Sequence, residues 1–169
     1  MPTFSDGESG SSVRTKINSV ITEVEDTIGY EAGSWTPVVA DASSGGNVAT
    51  ALNIVGVYTK IGDFVSATCT IFNIDTTGLT AGNDLFIRSL PFTSVAVAGI
   101  NPFAWAGAVE LVRISYSDQV VAHLRENESY FRLAENISAS GTGRNYVLVS
   151  EVNSGNNVIT ATLNYQAAT

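Results

Sequence analysis

The chain has 169 residues, enough for one domain of ordinary size plus an appendage. Charged residues make up 14% of it, well below the roughly 25% usual for soluble domains, so Ser, Thr, Asn and Gly must fill much of the surface, as in β-rich particle proteins. A net charge of −8 argues against a nucleic-acid partner, the single cysteine, Cys69, excludes an intrachain disulfide and a cysteine-rich zinc site, and no apolar run of about 18 residues is available for membrane insertion as a helix.

Residues 1–11 are small, polar and acidic, which predicts a flexible arm outside any packed core. Their start lacks the positive charge and apolar stretch of a secretory signal, so export by that route is not expected. Ser11 or Ser12 can then cap a helix over 12–29. Its apolar positions Val13, Ile17, Val20, Val24 and Thr27 are spaced by alternating steps of four and three, a heptad seam with Ile17 and Val24 at a and the others at d. β-branched residues at both core positions, flanked by Ile21 and Ile28, favour three strands over two. About seventeen residues make only ~25 Å of helix, too little to be stable alone in water, so a trimeric coiled coil is expected. The alternative is a lone amphipathic helix packed on its own domain. Gly29 and Gly33 break the helix and begin the head.

From Trp35 onward the apolar period becomes two. Strands are predicted over 35–39, 51–60, 64–74, 85–90, 95–100, 104–115, 119–125, 130–133, 146–151 and 158–165. Turn signals separate them, among them Ser44-Gly-Gly-Asn, Ile61-Gly-Asp, Ala81-Gly-Asn-Asp, Gly141-Thr-Gly and Ser154-Gly-Asn-Asn. Short strands at this spacing, with no second long helix, predict a mainly β antiparallel sandwich, jelly-roll-like, over 30–169. Ile61-Gly-Asp reads as a tight hairpin, and 141–144 and 154–157 as the most mobile loops.

Groups that carry chemistry are sparse. Cys69 lies in an alternating run and reads as a small buried hydrophobe. His123, the one histidine, shares a strand face with Val121 and Arg125 and has no carboxylate or cysteine close in sequence, so it reads as packed or surface rather than catalytic. No nucleophile elbow, phosphate loop, dinucleotide fingerprint or EF-hand loop is present. Glu126 and Glu128 would work as a glycosidase pair only across a cleft, and Gly82-Asn-Asp84 reads as an ordinary turn rather than an ion site. An enzyme is therefore not expected, and neither is a metal or a cofactor.

Two stretches resemble virion fibre proteins of tailed phages. Gly7-Glu-Ser-Gly-Ser-Ser-Val-Arg-Thr-Lys-Ile-Asn18 is similar to the leader that precedes a short trimeric helix in such proteins. Gly33-Ser-Trp-Thr-Pro37, followed by Gly56-Val-Tyr-Thr-Lys-Ile-Gly-Asp-Phe-Val65 and Leu90-Pro-Phe92, resembles head domains at the C-terminal ends of tail fibres. Together they cover about half the chain, and it is their order that carries the likeness. The resemblance implies a homotrimer with β-sandwich heads around a threefold axis, located on the virion.

Its expected role is a tail fibre or tip protein whose arm joins other virion proteins and whose head binds a host surface glycan or protein. The alternative is a capsid decoration protein or head fibre that stabilises the shell, and a glycan-degrading tail enzyme is a third, weaker reading. Trimerisation is assigned to Val13, Ile17, Val20 and Val24. Trp35 reads as apolar cover, and Tyr58, Ile61, Phe64 and Val65 as core. Sandwich loops gather at two ends, one of them taken by the stalk, so the candidate receptor residues are Asn101, Tyr116, Asn127, Arg144, Asn145 and Asn157.

Overall fold

Ser9, rather than Ser11 or Ser12, sets where the chain becomes helical. In the computed structural model, which describes residues 3, 7–99, 104–136 and 143–168, the Ser9 hydroxyl accepts a hydrogen bond from Ser12 N at 3.3 Å. Helix α1 accordingly runs Gly10–Ile28, two residues longer at its start than the spacing predicts. Gly29, at φ 63°, ends it, with its N–H returned to Asp26 O. The helix has no buried residue. Residues 1, 2 and 4–6 of the expected arm lie outside the described residues, and Gly10 and Ser11, also expected in it, begin the helix.

The strands that follow are β1 (Tyr30–Trp35), β2 (Val38–Ala42), β3 (Gly45–Val48), β4 (Asn53–Ile61), β5 (Phe64–Phe72), β6 (Phe86–Arg88), β7 (Ala104–Val112), β8 (Gln119–Arg125), β9 (Tyr130–Asn136), β10 (Arg144–Tyr146) and β11 (Val158–Gln166), with a 3-10 turn at Val149–Glu151. The fold is mainly β, one N-terminal helix and a curled antiparallel sheet. Several expected elements differ. The predicted strand 35–39 is split at Thr36-Pro37, since Pro37 has no N–H to give a ladder. β1 takes up Glu31 and Gly33, whose composition conceals a strand, and β3 occupies the expected Ser44-Gly-Gly-Asn turn. Residues 95–99 form no named strand, holding to the sheet through the Ser94–Ala167 bridge and Val95 N on Gln166 O at 2.8 Å. The predicted strand 146–151 becomes β10 and the 3-10 turn, so that Arg144, expected in a mobile loop, stands in a strand.

Neighbour order across the sheet is β1-β4-β5-β11-β7-β8-β9-β6-β2-β3, with β10 beside β9. β7 belongs to both halves of the curl: its first part pairs β8 from Ala104 to Gly107, and its second part pairs β11 from Ala108 to Val112. Gly107 permits this crossing, because a Cβ there would lie 2.3 Å from Thr162 O. The two halves close over one core. Val65, Ala67, Cys69 and Ile71 alternate inward from β5, and Ile159, Ala161, Leu163 and Tyr165 from β11. Leu124, Phe131, Leu133 and Ile87 meet them from β8, β9 and β6. Each large apolar side chain so buried contributes about 1.5–3 kcal/mol relative to exposure.

Part of the second of the two fibre-like stretches, Trp35, Val65 and Leu90 with Tyr58 and Phe92 against them, reaches this core. Trp35 is 9% exposed, as its apolar-cover reading requires. Tyr58 stacks edge-on against Phe92 at 5.3 Å, Lys60 lies 5.4 Å over the same ring, and Tyr165 Oη donates to Phe92 O at 3.0 Å. Val65 is fully buried, but Ile61 and Phe64, expected in the core, are about half exposed. The tight Gly62-Asp63 turn, with Gly62 at φ 56°, pairs Ile61 directly with Phe64 and leaves both on the outer side of the sheet.

That turn also fixes the polarity of the molecule. Gly62 N donates to Ile28 O (3.0 Å) and Gly29 O (3.2 Å), which seats the helix end at the β4–β5 hairpin. Antiparallel pairing carries this direction around the sheet. The ends of β5, β8 and β9 at Phe72, Gln119 and Asn136, and with them β10, lie at the far end from the helix. The β8–β9 turn comes back to the helix end, where Asn127 N donates to Ser94 O (3.1 Å) and Ala167 N donates to Asp63 O (2.8 Å).

Candidate binding surface

The outer face of β8, β9, β6 and β10 gathers polar and aromatic groups that are remote in sequence. Pairing sets His123 beside Arg132, Arg132 beside Phe86, and Tyr146 beside Ala134, so these side chains share one face. The Arg132 guanidinium lies 3.7 Å from the Tyr146 ring centre and 5.5 Å from that of Phe86, and its Nη1 donates to Asp84 Oδ2 at 3.1 Å. His123 is 3% exposed. Its Nε2 faces Arg144 Nη1, and its Nδ1 lies 3.4 Å from Tyr146 Oη. A guanidinium can only donate, so Nε2 is the acceptor and the imidazole proton sits on Nδ1. Burial first, and then Arg144, Arg132 and Arg125, hold the His123 pKa down at about 4. The ring is thus a neutral spacer that fixes Arg144.

Beside this cluster, at the end far from the helix, is an open groove of about 370 Å³ lined by Asp84, Glu135, Arg144, Asn145, Tyr146, Leu148 and Glu151. Its carboxylates are engaged. Asp84 takes Arg132, Glu151 accepts from Leu148 N at 2.7 Å, and Glu135 accepts from Ser117 N and from Asp118 N at 2.7 Å. The last two bonds tie the loop carrying Tyr116, itself about half exposed, to the groove rim. The groove therefore offers an aromatic face, an amide and a guanidinium, the groups that hold a hydroxylated ligand by stacking and hydrogen bonds.

Of the candidate receptor residues, Arg144 and Asn145 come together in this groove and Tyr116 stands on the loop next to it. Asn127 is at the opposite, helix end, in a left-handed turn at φ 58°. Asn157 must be corrected from receptor loop to buried support: it is 1% exposed, its Oδ1 accepts from Ile74 N at 3.0 Å, and its Nδ2 donates to Ile74 O at 2.9 Å and Asn153 O at 2.6 Å. Asn101 lies outside the described residues. Val13, Ile17, Val20 and Val24 all lie on α1, with Ile17 and Val24 about half exposed.

Glu126 and Glu128 do not face one another across a cleft. Glu126 accepts from Val97 N, and Glu128 accepts from Arg125 N and Tyr130 Oη. Burial raises the Cys69 thiol to about 12. Asp41, which sequence reading passed over, is a buried hub that accepts from Thr80 N, Asn47 N and Asn47 Nδ2; the Thr80 bond, above all, lowers its pKa to about 2. Its signal was an acid inside an apolar strand, followed by a Gly- and Asn-rich turn. The His123 cluster had no such signal, since cross-strand pairing alone assembles it.

Among the described residues no group of three or more His, Cys, Asp or Glu is placed to hold a metal ion, and no helix is long and apolar enough to cross a membrane. No family model, curated protein or solved structure matches the chain.

Proposed function

We propose that this protein is a virion structural component of a tailed phage, a homotrimeric tail fibre or tip protein that attaches the particle to the host cell surface. In this reading α1 is the trimerising coiled coil, residues 1–11 dock on other virion proteins, and the curled sheet is a jelly-roll-like sandwich head. The observation that carries it is a 19-residue helix with an apolar heptad stripe and no buried side chain. A helix of that length gains too little from its own hydrogen bonds to persist without a partner for the stripe. Further support is the position of the groove at the end opposite the helix, where a stalked head would present it. A single groove of this kind binds a sugar weakly, and three heads per fibre with many fibres per particle supply the avidity.

The test is light scattering on the purified chain together with competition of phage adsorption to host cells. A three-chain mass and blocked adsorption are expected. A monomer at micromolar concentration removes the fibre reading. A trimer that leaves adsorption unchanged, while its loss weakens the capsid, establishes the decoration role instead.

A further inference from the structure

One outer face of the curled sheet is built unlike the rest of the surface. Alternation along β1, β4, β5, β11 and the second part of β7 turns one set of residues inward and the other outward. The outward set includes Tyr30, Val55, Val57, Ile61, Phe64 and Phe72, all 40–60% exposed. Glu110 is the one charged residue on this face, in a chain with 24 acidic and basic residues (16 + 8). The opposite outer face carries Arg88, Arg125, Arg132 and Arg144.

Four threonine hydroxyls of the apolar face bond one another within it. Thr68 bonds Thr162 across the strands at 3.1 Å, and Thr70 bonds Thr160 at 3.3 Å. Each pair keeps one hydroxyl donor bonded when water is removed, which lowers the cost of burying these four groups. A large apolar area with internally paired hydroxyls marks a surface that is covered.

We infer that this face is covered by further copies of the same chain, so that the heads as well as the helices associate. The inference rests on the self-association reading above. Three features select a copy of the chain as the occupant. Each copy carries a net charge of −8 and would repel another through most of its surface, whereas this face is nearly uncharged. Ile28, exposed beside the stripe at the end of α1, has its carbonyl bonded to Gly62, between the exposed Ile61 and Phe64, so the helix end adjoins this face. Five strands of up to nine residues span about 20 Å by 30 Å, or roughly 600 Å² before corrugation, close to the ~800 Å² per partner of a specific interface. Three such sheets facing inward would each stand about 6 Å from a threefold axis, near half the ~10 Å between packed sheets.

The test uses the full-length chain with one reporter thiol at a time. Val57→Cys lies on the face, and Tyr116→Cys lies away from it at the same 52% exposure, while native Cys69 is buried. Maleimide labelling of Val57→Cys in the native oligomer is expected to be at least about tenfold slower than that of Tyr116→Cys, with the two rates equal in denaturant. In parallel, Val57→Lys is expected to shift the mass distribution toward smaller species at micromolar concentration while the circular dichroism of the head is retained. Equal native labelling rates in an intact trimer overturn the covered face and leave the helical stalk standing. A monomeric wild type overturns both readings, and a lower mass for Ile17→Asp with Val57→Lys unchanged assigns association to the helix alone.

Discussion

Replacing Asn157 by Ala tests whether this residue is a structural plug. The amide closes a ring with Ile74, accepting from its N–H at 3.0 Å and donating to its carbonyl at 2.9 Å, with Ile74 at 0% and Asn157 at 1% exposure. Asn157→Ala leaves one buried N–H and one buried carbonyl without these partners. Each such loss costs about 1–3 kcal/mol, and partial relief by water brings the expected total to about 2–4 kcal/mol. For a chain of this length that lowers the thermal midpoint by roughly 4–16 °C. The measurement is thermal and urea unfolding at fixed chain concentration, with Asn156→Ala as control, since Asn156 is exposed one position away. The control should change stability by less than about 0.5 kcal/mol. If Asn157→Ala unfolds with its control, water satisfies Ile74 and the burial argument is wrong. If it leaves stability intact but abolishes binding to host cells, the loop reading of this residue is restored.

His123 makes stability depend on pH. Its folded pKa of about 4 lies below the ordinary 6.5, so the unfolded chain binds a proton first, and stability, complete above about 6.5, falls as pH drops toward 4. The full shift corresponds to about 3 kcal/mol, and solvent screening of the exposed Arg144 and Arg125 reduces the expected loss to about 1–2 kcal/mol. Urea unfolding between pH 7 and 4.5 should show this slope, and His123→Gln should flatten it. Gly107→Ala, which sets a Cβ against Thr162 O, should cost about 1–3 kcal/mol in the same assay, whereas Gly82→Ala, with open space around it, should be nearly neutral. Cys69, buried and with its thiol pushed up to about 12, should resist Ellman's reagent in the native protein and react fully in denaturant; fast native reaction would show the core to be open.

Much of this molecule was determined by local sequence. The heptad spacing from Val13 to Thr27 specified a helix with one apolar stripe, Gly29 its end, Ile61-Gly-Asp a hairpin, and strict alternation from Val65 to Ile71 a strand with one buried side. These follow from backbone sterics and from period-two or period-3.5 burial, which act over a few residues. Local pattern misjudged Ile61 and Phe64, because apolar character alone does not say which side of a sheet will find a partner. It also placed Asn157 in a solvated turn, since nothing near it in sequence announces Ile74, 83 positions away, as its hydrogen-bond partner.

The groove of Arg144, Asn145 and Tyr146, the neutral His123 behind it, and the uncharged face of β4, β5 and β11 were decided only by the tertiary structure. Antiparallel register brings residues tens of positions apart to within one strand spacing, about 4.8 Å, and the curl at β7 determines which faces meet. Neither register nor curl is set by neighbours along the chain. Both are set by which long-range pairing buries the most apolar surface while leaving the fewest polar groups unbonded.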